Sequence, residues 1–263
     1  MVNTVSLFED KKAIIGMVHL LPLPGTPGFD GNMDKVYQQA LADAKALEEG
    51  GVTALMVENA GDAPYGRTLD LAQSTALAAI AAVVKLNTNL PVGIDAAFCD
   101  YQSALACAKA SGADFIRLAV FVDTVEFFGG IMEPCARDAM YYRKQIQAEK
   151  VKIFADVQVK HSHMLIPNIP IEESAKVAVS CGADAIIVTG THTGGETPIE
   201  AVQRVKKAVR VPVIVGSGIK TSNIKEQMGI ADGAIVGSSL KIDGVVSNPV
   251  DKNKVIELMG ELK

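Results

Sequence analysis

Short apolar runs alternate along this chain with longer stretches in which apolar residues recur at intervals of three and four. Eight such runs have the length and the Val, Ile and Ala content of buried β-strands. They cover residues 13–18, 53–58, 91–95, 114–119, 151–157, 184–190, 212–216 and 233–237. The stretches between them, such as 34–51 and 199–209, have the polar and apolar spacing of amphipathic helices.

Eight strand–helix units in about 250 residues predict an α/β protein, a (β/α)8 TIM barrel with a parallel eight-stranded core. A helix-ending glycine and a small residue introduce the even strands, and proline introduces the third and seventh, which indicates a two-unit repeat. The rival fold, a doubly wound open sheet, usually has a glycine-rich fingerprint after its first strand, where this chain has "MVHLLPLPG". Because no Gly- and Ser-rich linker interrupts the pattern, we predict a single barrel domain over residues 1–263.

Composition and charge narrow the classes of partner. The chain has 263 residues, is 49% hydrophobic and carries a net charge of −5, so we expect a large core and no nucleic-acid partner. No uncharged apolar run reaches 18 residues, and the first residues lack the pattern of a signal peptide, so we expect a cytoplasmic protein with no transmembrane segment. The four cysteines are widely spaced, which favours reduced, mostly buried thiols.

The last two strands end in similar phrases, "VPVIVGSGIK" at 211–220 and "DGAIVGSSLK" at 232–241. In a (β/α)8 barrel the loops after strands seven and eight commonly bind phosphate through backbone N–H groups that glycines leave accessible. Lys220 or Lys241 could add charge or simply reach solvent. The predicted phosphate-binding residues are Gly216, Ser217, Gly218, Gly237, Ser238 and Ser239, with Thr189 and Thr191 from the loop after strand six.

Ionisable and amide side chains collect at the carboxyl ends of the predicted strands, where a barrel has its active site. A single acid there is most simply a helix cap or a partner for Arg117, but several carboxylates on one rim perturb one another's pKa or bind a cation. The predicted catalytic residues are His19, Glu58, Asn59, Asp95, Asp156, Lys160 and His161.

Roles for these residues follow from their chemistry. His161 or His19 would act as general base or acid, and Glu58, Asp95 or Asp156 would carry protons or bind an optional divalent cation. Lys160 either anchors an oxyanion as a cation or forms a Schiff base as a neutral amine. We favour the cationic anchor, because nearby carboxylates should keep a lysine charged.

The segment after the first strand, from Leu20 to Phe29, is long, rich in Pro and apolar. Exposed leucines on such a loop would be unfavourable, so we expect it to pack against another subunit or over the barrel mouth. The protein is accordingly expected to form a homo-oligomer.

Five segments together resemble the BtpA family, which includes the SgcQ proteins, over essentially the whole chain. They are "IIGMVHLLPLPGTP", "MVENAGDAPY", "DVQVKHSH", "VTGTHTGGETP" and "VIVGSGI". The resemblance implies a barrel related to the phosphate-binding barrels. It also implies a link to photosystem I biogenesis, after which the family is named, or to sugar utilisation, with which the SgcQ members are associated.

Two functions are compatible with these observations. The first is an enzyme, a lyase, isomerase or hydrolase, that acts on a small phosphorylated sugar or nucleoside-like metabolite at the barrel mouth. The second is a non-enzymatic assembly or stabilisation factor related to photosystem I biogenesis. A rim of carboxylates, lysine and histidines favours the enzyme, since a protein that only binds another protein does not need them inside a barrel.

Overall fold

A computed structural model describes residues 7–8, 12–190, 192 and 194–263. The β-strands within this part of the chain are β1 (Ala13–His19), β2 (Ala54–Glu58), β3 (Val92–Asp95), β4 (Phe115–Leu118), β5 (Val125–Phe127), β6 (Gly130–Met132), β7 (Lys152–Val157), β8 (His163–Met164), β9 (Ala185–Val188), β10 (Val213–Val215) and β11 (Gly233–Val236). The α-helices are α1 (Met33–Gly50), α2 (Leu71–Leu86), α3 (Tyr101–Ser111), α4 (Ala136–Gln145), α5 (Ile171–Ser180), α6 (Ile199–Ala208), α7 (Ile224–Met228) and α8 (Lys252–Gly260).

Eight of the strands form a closed parallel barrel in the order β1-β11-β10-β9-β7-β4-β3-β2. Closure joins the first strand to the last, with Ile15 of β1 opposite Ile235 of β11. The barrel strands are the eight that the apolar runs predicted, and the (β/α)8 prediction is confirmed. The alternation of side chains along each strand therefore sends one set into the barrel and the other toward the helices.

Large side chains fill the interior of the barrel below the carboxyl ends of the strands. The rings of Phe115 on β4 and Phe154 on β7 stack with centroids 4.5 Å apart, and both are buried. Gly93 on β3 makes room for this stack, since a Cβ there would lie 2.1 Å from the Phe115 ring. The packed interior fills the barrel beneath the carboxyl ends of its strands.

Caps at the helix ends match the signals in the sequence. The Asp70 side chain accepts the N–H of Gln73 while the Gln73 side chain accepts the N–H of Asp70, which is a capping box at the start of α2. Gly51 follows α1 with φ of 100° and lets the chain turn into β2. These local signals set where α1 ends and where α2 begins.

A small antiparallel sheet, in the order β6-β5-β8, was not predicted from the sequence. Strands of two or three residues are too short to show a hydrophobic period. The hairpin of β5 and β6 follows barrel strand β4, and β8 follows β7, so the sheet joins two loops above the barrel. The Gly129–Gly130 pair, at the end of the turn and the start of β6, was a hairpin signal that the pattern of longer strands obscured.

The apolar segment after β1 packs against the protein's own core. Leu20 and Leu23 are buried, and Leu21 and Phe29 are partly buried against the same core. Asp62 holds the segment in place by accepting the Leu23 N–H at 2.8 Å. The segment needs no second subunit to cover its leucines, and none of its residues lines the cavity described below.

Within the part of the chain that the structure describes, no helix has the length and apolar character needed to span a bilayer.

Candidate active site

A cavity of about 580 Å3 opens at the carboxyl ends of the barrel strands. Most of the residues predicted for the site line it: His19, Glu58, Asp95, Lys160, His161, Gly216, Ser217, Gly218, Gly237, Ser238 and Ser239. Its volume lies in the range of about 300–1,000 Å3 typical of small-molecule sites. Asn59, Asp156 and Thr189 lie outside this lining, and Thr191 falls outside the described residues.

Arg117 on β4 is the centre of the buried charges. Its Nε and Nη2 each donate to one oxygen of the Asp156 carboxylate on β7, both at 2.8 Å, and its Nη1 donates to Asp95 on β3 at 3.2 Å. Burial lowers the pKa of Arg117, but the negative charges of Asp156 and Asp95 outweigh it and raise this pKa. Asp156, predicted as a catalytic residue, is thus committed to holding Arg117, while Arg117 itself lines the cavity.

Asp95 and Glu58 lie side by side in the β2–β3 register, but their environments separate their acidities. Burial raises the pKa of Asp95 to about 7, helped by the negative charges of Glu58 and Asp156 and opposed by Arg117. Burial also raises that of Glu58, but the hydrogen bond and charge of His19, together with Arg117 and Lys160, outweigh it and lower the pKa of Glu58. One carboxyl is suited to carry a proton near neutral pH and its neighbour to stay ionised.

His19, at the end of β1, contacts both neighbouring strands. Its Nε2 lies 3.3 Å from the Glu58 carboxylate on β2. On the other side Gly237 lets the imidazole lie close to β11, since a Cβ there would be 2.8 Å from His19 Cε1. The His19 Nδ1 is buried and has no hydrogen-bond partner among the described residues. A buried imidazole nitrogen without a partner is costly unless a ligand or water pairs with it.

Lys160 and His161 follow β7. Burial and the charge of Arg117 lower the pKa of Lys160, outweighing Glu58, Asp156 and Asp95, which raise it. The sequence expectation that carboxylates would prevent this lowering does not hold, because burial and then the charge of Arg117 outweigh them. Although His161 is exposed at the rim, its partial burial and the charges of Lys160, His192 and Arg117 lower its pKa.

Thr189, predicted to bind phosphate, positions the Lys160 backbone instead. Its hydroxyl oxygen accepts the Lys160 N–H at 2.9 Å, and only 8% of the residue is exposed. This bond links the loop after β9 to the loop after β7. Thr189 thus supports the site from outside the cavity.

The two Gly-Ser loops differ in how much of them faces the cavity. The Ser217 hydroxyl is already engaged, accepting the Gly190 N–H at 2.7 Å and lying 3.1 Å from the Gly195 carbonyl oxygen. Gly218 has φ of +70° and packs against residues 195–196, so it shapes the loop. In the second loop the Ser239 hydroxyl is buried in the cavity wall without a partner among the described residues.

Of the two lysines considered for the phosphate site, Lys241 does not face the cavity. It is fully buried, its Nζ donates to Asp43 of α1 at 2.5 Å, and Asp43 also accepts the Val250 N–H. This ion pair fastens the final loop to α1. Lys220, by contrast, is exposed at the cavity rim.

Asn59 is buried behind the cavity and joins two loops. Its side-chain oxygen accepts the Ala97 N–H at 2.8 Å, and its amide nitrogen donates to Asp62 at 3.0 Å. Asn59 therefore fixes the segment after β3 relative to the segment after β2.

Sequence reasoning missed two aromatic residues that line the cavity, Tyr65 and Phe98. Phe98 follows β3 by three residues, and Tyr65 ends the "GDAPY" loop after β2. The signal that could have found them is their position in loops after the carboxyl ends of barrel strands.

Among the described residues, no group of three or more His, Cys, Asp and Glu side chains is arranged to hold a metal ion. Asp156 and Asp95 are instead occupied by Arg117.

Comparisons with known proteins place the chain among its relatives. An uncharacterized protein of Methanocaldococcus jannaschii is 39% identical over 257 residues, covering 96% of this chain and 97% of its own. The photosystem I biogenesis protein BtpA of Synechocystis is 36% identical over 260 residues, covering 97% and 90%.

Solved structures share the fold at low identity. (S)-3-O-geranylgeranylglyceryl phosphate synthase from Thermoplasma acidophilum aligns with a TM-score of 0.63 and 17% identity, covering 100% of this chain and 99% of that one. The model of the BtpA family matches residues 10–263. The chain therefore belongs to the BtpA family.

Proposed function

We propose that this protein is an enzyme that acts by acid–base chemistry on a small phosphorylated sugar or nucleoside-like metabolite. The observation that carries the proposal is a pair of buried, unpartnered polar atoms in the wall of one cavity, His19 Nδ1 and Ser239 Oγ. Buried polar atoms are paired in nearly all native proteins, so these two unpartnered atoms support a polar ligand in this cavity.

The charges around the cavity supply the chemistry. Asp95, with a pKa of about 7, can give or take a proton near neutral pH, and His19 beside the ionised Glu58 can serve as its counterpart. Arg117 and Lys160 can stabilise negative charge that develops on the substrate. An acid, a base and cations around one enclosed space support catalysis more than simple binding.

The phosphate end of the substrate is assigned to the loops after β10 and β11. Ser238 and Ser239 begin a 3-10 turn, whose first N–H groups have no partner within the turn. The solved structure from Thermoplasma acidophilum is a complex with sn-glycerol-1-phosphate, which is consistent with a phosphorylated ligand in this fold.

The rival function, an assembly factor, rests on the name of the Synechocystis relative. A protein-binding surface would not require a buried Arg117 with two carboxylates beneath a cavity. The enzyme is therefore the better-supported proposal.

Thermal unfolding with matched pairs of phosphorylated and unphosphorylated metabolites tests it. At about 100 times Kd a bound ligand should raise Tm by roughly 5–10 °C, and only phosphorylated compounds should do so. Ser239→Ala should weaken binding about tenfold or more, because a hydrogen bond to a charged group is lost. The control Ser222→Ala, on an exposed turn, should bind normally. If no phosphorylated compound shifts Tm, the proposal is wrong.

A further inference from the structure

The cavity has an aromatic side that neither the acid–base groups nor the phosphate loops account for. Phe98 and Tyr65 line it. Phe127 of β5 stacks on Phe98, with ring centroids 4.7 Å apart and planes 11° apart. Phe128 lies 6.3 Å from Phe98 and 6.1 Å from Tyr65, centroid to centroid. We call these four residues, Tyr65, Phe98, Phe127 and Phe128, the aromatic wall.

Phe98 of the aromatic wall lies across the barrel from the Gly-Ser loop after β10. In the barrel order β1-β11-β10-β9-β7-β4-β3-β2, strand β3 is four strands from β10 in either direction. Phe98 follows β3, whereas Gly216 follows β10. A ligand held by its phosphate at the Gly-Ser loops therefore extends across Glu58, Asp95 and Lys160 toward the aromatic side chains.

Packing of the β5–β6 hairpin onto the barrel explains only part of the wall. That packing needs the buried Phe127, which is 5% exposed. It does not need Phe128, which is 63% exposed, or a ring at Phe98 that lines a charged cavity. Asn59 adds a bond to the Ala97 N–H, so the Phe98 segment is held in place before a ligand arrives.

From this arrangement we infer that the substrate carries a planar unsaturated ring at the end remote from its phosphate, as a nucleoside 5′-phosphate does. The inference rests on the proposed function and selects the ring-bearing class within it. Planar unsaturated rings stack face to face on aromatic side chains, and a sugar phosphate without such a ring lacks this interaction. The sugar would then lie in the middle, beside Asp95 and Glu58.

Calorimetric titration of the full chain with ribose 5-phosphate and with uridine 5′-monophosphate tests the inference. Uridine 5′-monophosphate should bind about five- to 150-fold more tightly than ribose 5-phosphate, the range expected for one stacked base. In Phe98→Leu this advantage should fall to less than about threefold, while ribose 5-phosphate binds as in the wild type. Tyr142→Leu replaces an aromatic of the outer Tyr101–Tyr142 pair, away from the cavity, and should keep the full advantage.

The outcomes separate this inference from the proposed function. Equal affinity of the wild type for both compounds would overturn the aromatic subsite and leave the phosphate site standing. Weakening of both compounds by the same factor in Phe98→Leu would also overturn it, since Phe98 would then act through the fold. If neither compound binds the wild type, the proposed phosphate site fails and the inference fails with it.

Discussion

Arg117 binds Asp156 through two hydrogen bonds of 2.8 Å but Asp95 through a single one of 3.2 Å. The asymmetry divides two otherwise similar carboxylates into different roles. Asp156 is fully paired beneath the cavity, whereas Asp95 lines the cavity with a raised pKa. The arrangement gives one carboxylate to structure, and we propose that the other transfers protons.

Removal of Arg117 should destabilise the fold. Arg117→Met leaves Asp156 buried without a cation, and loss of one partner of a buried pair costs about 3–5 kcal/mol. Urea unfolding should therefore show a lower free energy of unfolding with an unchanged m-value. Lys144→Met, which breaks the exposed Lys144–Glu149 pair, should cost less than about 1 kcal/mol. Equal losses in the two variants would contradict the central place of Arg117.

Asp95 should make stability fall as pH rises. Because its pKa is about 7 in the folded protein and about 4 when unfolded, the folded state holds more protons between these values. The free energy of unfolding should therefore fall across this window, by at most about 1.4 kcal/mol per pH unit from this group. Asp95→Asn should flatten the decline in urea unfolding at several pH values. The prediction fails if Asp95→Asn leaves the slope of the free energy of unfolding against pH as in the wild type. It also fails if the exposed Asp138→Asn alters that slope equally.

Lys160 should influence the acidity of its neighbour. The pKa of His161 is lowered by burial and next by the charge of Lys160, so Lys160→Met should raise it. Titration of the His161 ring proton by NMR measures the change. Lys220→Met removes another lysine from the same rim and should leave the His161 pKa in place. No rise in Lys160→Met would mean that the amine is largely neutral, as a Schiff-base lysine would be.

Replacement of Lys241 should lower stability, whereas replacement of Lys220 should weaken ligand binding. Lys241→Met leaves the buried Asp43 carboxylate without its cation and should lower the free energy of unfolding by about 3–5 kcal/mol. The ligand affinity of the folded protein should stay unchanged. Lys220→Met should leave stability within about 0.5 kcal/mol and weaken binding of phosphorylated compounds. Unfolding curves and calorimetric titrations of both variants check the pair. Normal stability in Lys241→Met would show that the ion pair is dispensable.

Reasoning from the sequence reached the fold and named most of the polar residues that line the cavity. The apolar runs, each followed by a stretch with helical spacing, predict the barrel. Side-chain alternation along the strands then sends His19, Glu58 and Asp95 to the same face. The two Gly-Ser phrases likewise follow β10 and β11, which pair side by side in the barrel. These features are local, because a period of two or 3.6 residues and a glycine after a strand are properties of short segments.

Only the tertiary structure decided which polar groups face the cavity. Lys241 and Lys220 end similar phrases, yet one pairs with Asp43, which lies 198 residues earlier, and the other reaches the rim. The hydroxyls of Ser217 and Thr189 are taken up by backbone groups of other loops, whereas that of Ser239 is left without a described partner. The aromatic wall likewise combines loops after β2, β3 and β4. Such contacts join segments far apart in the chain, so they depend on the closed barrel and have no signature in any one segment.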